Sequence, residues 1–176
     1  MNKKLLYLKA YRLLNDSTPL KLDCGTLCNA ACCKGDEDTG MYLFPGEEVM
    51  YESKPDFLTI KPTGLTTHDN ENILLAVCRG TCDRSLRPLS CRIFPLTPYI
   101  CADNASANAA VNAITVIIDP RAKHLCPIAQ YSDQKKLNQF FVRNVRSVFQ
   151  LLAQDIEIRN FIGQLSRILD EFTLFL

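Results

Sequence analysis

Several features that point to common functions are absent from this chain. There is no tryptophan, and the other aromatic residues are not interleaved with a basic stripe. The formal net charge is +1, so no overall electrostatic attraction draws the chain to nucleic acid or to an anionic membrane. No apolar run approaches the roughly 20 residues that a membrane-spanning helix needs. We therefore expect neither nucleic acid nor a membrane among its partners.

The sequence also lacks the short motifs of common catalytic sites. It contains no G-x-G-x-x-G loop, nucleophile elbow or phosphate-binding loop, and it has only seven glycines. It contains no C-x-x-C, the pair typical of dithiol redox catalysts. Only two histidines occur, whereas there are nine cysteines. Any chemistry is therefore expected to depend on cysteine.

Length and composition are those of an ordinary globular protein. With 176 residues, 47% of them hydrophobic and 22% charged, the chain fits a single domain over residues 1–176. Its N-terminus has two lysines before an apolar run, but Lys9 and Arg12 interrupt that run and no small-residue cleavage site follows. We therefore expect a cytoplasmic protein, whose thiols stay reduced.

The hydrophobic pattern predicts an α+β fold. Helical spacing predicts an amphipathic first helix that ends near Asn15, and broad apolar faces predict a helical region over 132–176. Whether a break near Gln154–Asp155 divides that region is left open. Between these helices, residues 22–128 form a cysteine region of small antiparallel hairpins and irregular cysteine loops.

Within the cysteine region, short apolar segments predict strands. These are "MYLF", "DFLTI" and "NILLAVC", with "KPTGLTTHDNE" as a loop between the last two. "TPYIC" and "AVNAITVIID" predict a second hairpin. The segments "RGTCDRSLRPLSCRIFPLTP" and "PRAKHLCPIAQ" show no periodicity and are expected to be irregular, and "PGEEVMYES" is typical of a helix start.

Eight of the nine cysteines lie in irregular segments. "CGTLCNAACC" has the spacing C-x3-C-x3-C-C, "CRGTCDRSLRPLSC" holds three more, and "HLCPI" holds one. Folding around a metal would explain the missing periodicity, so we predict metal binding by Cys24, Cys28, Cys32, Cys33, Cys78, Cys82, Cys91 and Cys126. Cys101, at a strand end, is expected to be a buried packing residue.

Other uses of these cysteines fit the sequence less well. A disulfide framework is typical of secreted chains, and neither the length nor the N-terminus indicates secretion. Buried free cysteines account for one or two members, but not for four in ten residues. Metal binding is therefore the favoured interpretation.

The adjacent pair Cys32–Cys33 constrains a metal centre. Neighbouring side chains point to opposite sides of a strand and about 100° apart on a helix, so both rarely bind one metal without strain. Either the pair serves two neighbouring centres, or one member is not a ligand. Eight thiolates suffice for two four-ligand centres or for one polynuclear cluster. Zinc and iron–sulfur clusters both accept four thiolates, so the spacing leaves both open.

Arginines accompany the second group of cysteines. A four-thiolate centre carries net negative charge, and guanidinium groups offset such charge and donate hydrogen bonds to sulfur. We therefore expect Arg79, Arg87 and Arg92 beside the cofactor, with Arg84 in the same segment. A site for an anionic ligand, such as a carboxylate or phosphate, and a solvated surface are the alternatives.

The two histidines are weaker candidates. His124 precedes Cys126 by two residues, so it could replace a thiolate in a mixed site, although an exposed histidine, or one beside the ligands, is the favoured interpretation. His68 lies in the polar segment "TTHDNEN" and is expected to be solvated.

The cysteine pattern resembles that of the YkgJ-type cysteine-cluster family, described as zinc- or iron-chelating proteins, which includes the flagellin lysine N-methylases. The shared elements are a cluster ending in Cys32–Cys33, the later pair Cys78 and Cys82, and the Arg-Pro-x-x-Cys-Arg-x-x-Pro element of 87–95. "FPGEEV" is also similar to an acidic helix start of that family. The resemblance spans roughly residues 22–128.

The resemblance implies two functions. Most members are known as metal-chelating domains, which implies a structural metal or a metal reservoir within a binding module. The lysine methylases imply iron–sulfur-dependent methyl transfer from S-adenosylmethionine to a protein lysine, with a protein substrate or partner. This chain is short for that complete activity and lacks the C-x3-C-x2-C spacing of radical S-adenosylmethionine enzymes. The first function is therefore favoured and the second is kept as its rival.

Overall fold

The computed structural model describes residues 2–34, 38–53, 55–67, 70–80, 82–101, 113–131 and 133–174. Within them the chain forms helices and two small antiparallel sheets, so the predicted α+β class is confirmed. The α-helices are α1 (Lys3–Leu14), α2 (Gly25–Cys28), α3 (Leu89–Ile93), α4 (Pro127–Tyr131), α5 (Gln139–Leu152) and α6 (Ile156–Thr173). The strands are β1 (Gly40–Tyr42), β2 (Leu58–Thr66), β3 (Asn72–Cys78), β4 (Leu96–Ile100) and β5 (Ile114–Ile118).

Three long helices build the main hydrophobic core. α1 begins after Asn2, whose side chain accepts a hydrogen bond from a backbone N–H of the first turn, and it ends next to Asn15 as predicted. α5 and α6 are separate helices, because Asp155 ends the turn between them and caps α6 with its carboxylate. α1 packs against α5. The largest fully buried side chains on these helices are Tyr7, Leu14, Phe141, Phe149, Leu152, Ile158, Ile162 and Leu169.

The predicted hairpin of β4 and β5 lies against these helices. Leu96 pairs with Ile118 and Ile100 with Ile114. The backbone N–H of Ile100 donates a hydrogen bond to the Ser166 hydroxyl of α6 at 2.9 Å. Since residues on this hairpin join the same core as α1, α5 and α6, the cysteine region and the C-terminal helical region share one interior.

The second sheet has the order β1-β3-β2 and is antiparallel throughout. The prediction that "KPTGLTTHDNE" forms a loop is wrong over its first half, because β2 continues to Thr66. The pairing of β2 with β3 is irregular between Pro62 and Thr66. Pro62 is tolerated there because β2 is an edge strand. His68 lies outside the described residues. A separate small core beneath this sheet contains Leu43, Tyr51, Leu58 and Ala76.

Two segments predicted to be irregular contain short helices. α3 follows Pro88, and α4 begins at Pro127, where a proline is favoured in the first turn. A 3₁₀ turn also spans Pro120–His124. Each of these elements has five residues, too few to produce a readable helical period.

The prediction that Cys101 is a buried packing residue is wrong, since its side chain is exposed. It directly follows Ile100, which packs against the main core, and successive side chains of an extended chain point to opposite sides. In the part of the chain that the structure describes, no helix has the length and apolar character needed to cross a bilayer.

Candidate metal centre

The first cysteine segment folds into a closed loop. α2 is a single turn between Cys24 and Cys28, and the Cys28 thiol lies 3.7 Å from the Cys24 carbonyl oxygen. Asn29 and Ala30 both have φ of 51°, which reverses the chain after α2. The N–H of Ala30 donates to the first carbonyl of α2 at 2.9 Å, and a 3₁₀ turn over Ala31–Cys33 follows.

The second cysteine segment meets this loop through backbone contact. β3 ends at Cys78, and Gly80 follows it with φ of 89°. A Cβ added to Gly80 would lie 3.4 Å from the carbonyl oxygen of Cys33, so the two backbones pass close to each other. Cys91 is carried by α3. Tertiary folding therefore joins cysteines that are far apart in the sequence.

A cavity of about 150 Å³ lies where the segments meet, and we call it the cysteine cavity. Its walls are mostly apolar, apart from thiols and two basic side chains. It is lined by Cys32, Cys33, Lys34, Thr39, Gly40, Met41, Phe57, Leu58, Ala76, Cys78, Cys82, Arg87, Pro88, Cys91, Phe94 and Leu125.

Five of the predicted ligands line this cavity, namely Cys32, Cys33, Cys78, Cys82 and Cys91. The last four also interact with one another, and we call them the cavity group. Burial, together with repulsion from Cys82 and Cys33, raises the pKa of Cys91 to about 12. Burial also raises the pKa of Cys78, which shares a hydrogen bond with Cys82. The thiols therefore oppose one another's ionisation, as negative groups in close proximity do.

The other four predicted ligands, Cys24, Cys28, Cys32 and Cys126, form a second set that we call the loop group. Burial raises the pKa of Cys24, and negative charge at Asp23, Cys126 and Cys28 raises it further. Cys126 is 8% exposed and lies in a small apolar cluster with Ala122 and Ala129. Leu125, next to Cys126, lines the cysteine cavity together with Cys32 and Cys33, so the third cysteine segment meets the first one there.

The adjacent pair Cys32–Cys33 connects the two sets. The two thiols share a hydrogen bond, which raises the pKa of Cys32 and lowers that of Cys33. Burial opposes the lowering at Cys33, whereas the Arg87 guanidinium promotes it. Cys32 also interacts with Cys24 and Cys28, on the loop side. The neighbouring thiols therefore have different surroundings.

The predicted arginines occupy different places. Arg87 donates a hydrogen bond from Nε to the Cys82 sulfur at 3.2 Å, and it also interacts with Cys33 and Cys91. Arg79, by contrast, has an exposed side chain. Among the three arginines expected beside the cofactor, Arg87 has the contact with sulfur that such a role requires.

Arg92 serves a different set of partners. Its guanidinium lies 4.2 Å from the centre of the Tyr11 ring and donates hydrogen bonds to the carbonyl oxygens of Arg87 and Ser85. Only 4% of Arg92 is exposed. These contacts stabilise the backbone that carries Arg87.

A buried polar network lies behind this loop, and no sequence pattern indicated it. The expected helix start at "PGEEVMYES" is a 3₁₀ turn over Glu47–Tyr51, and Glu47, in its first turn, is fully buried. Its carboxylate accepts hydrogen bonds from the backbone N–H groups of Phe44 and Leu89 at 3.0 and 2.6 Å, and from the Tyr11 hydroxyl at 2.6 Å. The network therefore joins α1 to the start of α3.

The donor set fits a thiophilic metal in its chemistry, although the thiols are not drawn together into a coordination site. In the ranges 2–34, 38–53, 55–67, 70–80, 82–101, 113–131 and 133–174, no three Cys, His, Asp or Glu side chains are close enough to hold a metal ion. All nine cysteines are free, and the pairs Cys32–Cys33 and Cys78–Cys82 are in thiol contact. Metal binding would therefore require the sulfur atoms to move closer together. His124 is exposed and packs edge-on to the Phe172 ring.

No family model, curated protein or solved structure matches this chain. The resemblance to the YkgJ-type family therefore stays a prediction that rests on the cysteine spacing and the arginine–proline–cysteine element.

Proposed function

We propose that this protein binds thiophilic metal ions through its clustered cysteines, as a metal-chelating module of the YkgJ type. The observation that carries the proposal is the convergence of Cys33, Cys78, Cys82 and Cys91 on one cavity, with Arg87 hydrogen-bonded to the Cys82 sulfur. These residues come from separate segments, and packing of small hydrophobes alone does not account for a guanidinium directed at a thiol.

The electrostatics of these thiols favours binding of a cation. Burial and mutual repulsion raise the pKa of Cys91 and of Cys78, so the protein by itself disfavours several thiolates in this place. A bound divalent cation reverses that balance, because it attracts every thiolate and deprotonates coordinating thiols outright. Arg87 then offsets the residual negative charge of a four-thiolate centre.

We propose zinc or an iron–sulfur cluster as the bound group, in the reducing environment of the cytoplasm. Zinc would hold the loops together as a closed structural centre or a reservoir. An iron–sulfur cluster would supply one-electron redox chemistry. In either case the chain's own contribution is to place the thiols, to screen their charge with Arg87 and to shield them with the apolar walls of the cavity.

A second candidate is iron–sulfur-dependent methyl transfer from S-adenosylmethionine to a protein lysine. The cysteine cavity favours it, because a catalytic centre needs an adjacent space for a reacting group. Its volume of about 150 Å³ equals that of an engineered cavity that holds benzene. A pocket that buries a larger ligand usually measures at least about 300 Å³, so whole S-adenosylmethionine would require the cavity to open. The chelating function therefore has the stronger support.

The decisive experiment is anaerobic purification of the full chain, followed by metal analysis, acid-labile sulfide assay and a visible absorption spectrum. Iron with sulfide and a broad band near ~400 nm would indicate a cluster, after which S-adenosylmethionine binding would be measured by calorimetry. A colourless protein with about one zinc per four cysteines would indicate a structural or reservoir centre. A reduced protein that takes up neither metal would overturn the proposal.

Metal removal tests whether the centre supports the fold. Chelation under reducing conditions should increase backbone amide exchange over residues 22–128, because metal-binding free energy contributes directly to folding. Exchange in α5 and α6 should change less, since the core of these helices does not include the eight cysteines. An exchange pattern that is the same before and after complete metal removal would contradict a structural role.

A further inference from the structure

We infer that a chain of buried hydrogen bonds positions Arg87 and that a proton on Glu47 controls this positioning. The chain runs from Glu47 through the hydroxyls of Tyr11 and Tyr51 to residues 85–88, which we call the Arg87 loop. The inference deepens the proposed metal-binding function and rests on it for any effect on metal. The position of Arg87 itself can be measured without metal.

The backbone of the Arg87 loop is held by side chains of the buried polar network. The carbonyl oxygens of three successive residues, Ser85, Leu86 and Arg87, all accept hydrogen bonds from it. The Arg92 guanidinium donates to the first and to the third, the latter at 2.7 Å. The Tyr51 hydroxyl donates to the second at 3.2 Å. Buried groups therefore fix the loop over its whole central part.

The Tyr51 contact acts directly on the position of Arg87. The Leu86 carbonyl that it holds belongs to the same planar peptide unit as the Arg87 N–H. The Arg87 Cα is the next atom of that unit, and its side chain reaches the Cys82 sulfur through Nε at 3.2 Å. A shift of the peptide unit therefore moves the guanidinium relative to the thiol.

The Tyr51 hydroxyl has one hydrogen atom and two possible acceptors, the Leu86 carbonyl oxygen and the Tyr11 hydroxyl oxygen at 2.8 Å. While Glu47 is neutral, its proton serves Tyr11, and the Tyr11 hydrogen atom serves Tyr51. Tyr51 is then free to donate to Leu86. When Glu47 is ionised, Tyr11 donates to the carboxylate, so its oxygen competes with Leu86 for the Tyr51 hydrogen atom. Ionisation therefore weakens one of the bonds that hold the Arg87 loop.

Glu47 is the member of this network that changes charge near neutral pH, because burial raises its pKa to about 7. The titratable and charged groups that face it come from α1, from its own turn and from α3, and they are Tyr7, Tyr11, Tyr51, Cys91 and Arg92. Burial raises the pKa of each tyrosine, and that of Cys91 is about 12. Arg92 keeps its charge, because a guanidinium is not deprotonated in proteins. The loop should therefore be held firmly below the Glu47 pKa and less firmly above it.

The test measures hydrogen exchange at the backbone N–H and the Nε–H of Arg87 by NMR, in the full, reduced chain without added metal. Tyr51→Phe removes the hydroxyl that holds Leu86. Tyr7→Phe is the matched control, because Tyr7 is also buried and its hydroxyl also donates to a backbone carbonyl, that of Pro45 at 2.9 Å. Variants are compared at the same pH, so the intrinsic pH dependence of exchange cancels.

At about pH 6, Tyr51→Phe should exchange at Arg87 about 2- to 10-fold faster than Tyr7→Phe, the factor expected for loss of one hydrogen bond. At about pH 8 this ratio should fall towards one, because ionised Glu47 has already weakened the contact in the control. Tyr11→Phe removes the competing acceptor, so its exchange at Arg87 should be slower than that of Tyr7→Phe at the higher pH. Circular dichroism verifies that each variant folds.

An equal ratio at both pH values would show an ordinary structural hydrogen bond and would overturn the inference. Equal exchange in the Tyr51 and Tyr7 variants at the lower pH would overturn it as well. If Tyr51→Phe does not fold, the comparison of Tyr11→Phe with Tyr7→Phe decides, and identical exchange in these two at the higher pH would refute the proton control.

Zn²⁺ affinity of the same variants, measured by competition with a coloured chelator, connects the inference to the proposed function. Tyr51→Phe should bind Zn²⁺ more weakly than Tyr7→Phe at about pH 6, and the difference should decrease at about pH 8. An unchanged protein that binds no Zn²⁺ and no iron–sulfur cluster would overturn the proposed function, whereas the exchange rates decide the positioning of Arg87 independently.

Discussion

The hydroxyl oxygen of Tyr11 lies 2.6 Å from Oε1 of the fully buried Glu47. Tyr11 is also 2.8 Å from the Tyr51 hydroxyl, which donates to the Leu86 carbonyl at 3.2 Å. Three oxygen–oxygen contacts thus follow one another, but the two tyrosines supply only two hydrogen atoms. While Glu47 is ionised, Tyr11 donates to it and Tyr51 donates to Leu86, so no hydrogen atom is left for the contact between the two tyrosine hydroxyls. A proton on Glu47 reverses the first bond and supplies the third hydrogen atom, so the complete set of hydrogen bonds requires a neutral carboxyl group.

This proton makes the stability of the fold depend on pH. Burial raises the pKa of Glu47 from 4.5 to about 7, although its hydrogen bonds to Leu89, Tyr11 and Phe44 oppose the change. Because the pKa is higher in the folded state, the stabilisation is complete below the unfolded pKa and is lost as the pH rises through the folded one. The free energy of unfolding should therefore fall by up to about 3 kcal/mol between about pH 5 and pH 8.

Glu47→Gln should remove most of that pH dependence, because an amide has no titrating proton in this range. Urea unfolding at several pH values between about 5 and 8 provides the measurement. Glu48→Gln is the matched control, since Glu48 is exposed and its replacement should preserve the slope. Equal slopes in the Glu47 and Glu48 variants would contradict the proton assignment.

The proposed function predicts that Arg87→Gln weakens metal binding about 10- to 100-fold, the usual effect of removing a hydrogen bond to a metal ligand. The lost contact is the one from Nε to the Cys82 sulfur. Competition with a coloured chelator measures the affinity. Arg79→Gln removes an equal charge at an exposed position and should have little effect. Similar losses of metal affinity in both variants would indicate that positive charge in general, and not the Arg87 hydrogen bond, supports binding.

Gly40→Ala should destabilise the three-stranded sheet. A Cβ at Gly40 would lie 2.5 Å from the backbone carbonyl oxygen of Ala76. This clash is with backbone, so strands β1 and β3 would have to shift apart to remove it. The expected loss is roughly 1–3 kcal/mol, as for overpacking in a core. Gly163→Ala in α6 meets open space and should increase stability by about 1 kcal/mol. Thermal unfolding of the two variants should therefore shift in opposite directions.

Ala30→Gly should stabilise the first cysteine loop. A left-handed conformation costs an L-residue roughly 1–2 kcal/mol, and Ala30 has φ of 51°. Glycine avoids this cost, so a net gain of about 1 kcal/mol is expected after its larger unfolded-state entropy is included. Ala31→Gly in the adjacent 3₁₀ turn should instead lower stability. Chemical unfolding that ranks the two variants in the reverse order would refute the strain argument.

Helical periodicity was readable where an element is long and has one buried side. The leucine spacing predicts α1, and the apolar faces predict the region of α5 and α6 but do not show whether a break at Asp155 divides it. The hairpin of β4 and β5 was predicted from its short apolar segments. By contrast, α3 and α4 are too short for a period, and the extension of β2 to Thr66 passes through proline and glycine.

The candidate site was only partly predictable. The eight clustered cysteines were evident from local spacing alone, but their grouping around the cavity depends on which segments meet after folding. Arg87, Arg79 and Arg92 look equivalent in the sequence. Only the fold shows that Arg87 contacts a thiol, that Arg79 is exposed and that Arg92 lies over the Tyr11 ring.

The sequence by itself determined the α+β composition, the long helices and the concentration of thiols, because these depend on residue type and on spacing along the chain. Tertiary structure alone decided that Cys33, Cys78 and Cys91 line one cavity, that Leu125, next to Cys126, lines it too, and that Glu47 is buried. Such contacts depend on how separate segments pack, and packing is a property of the whole hydrophobic core that no local pattern encodes.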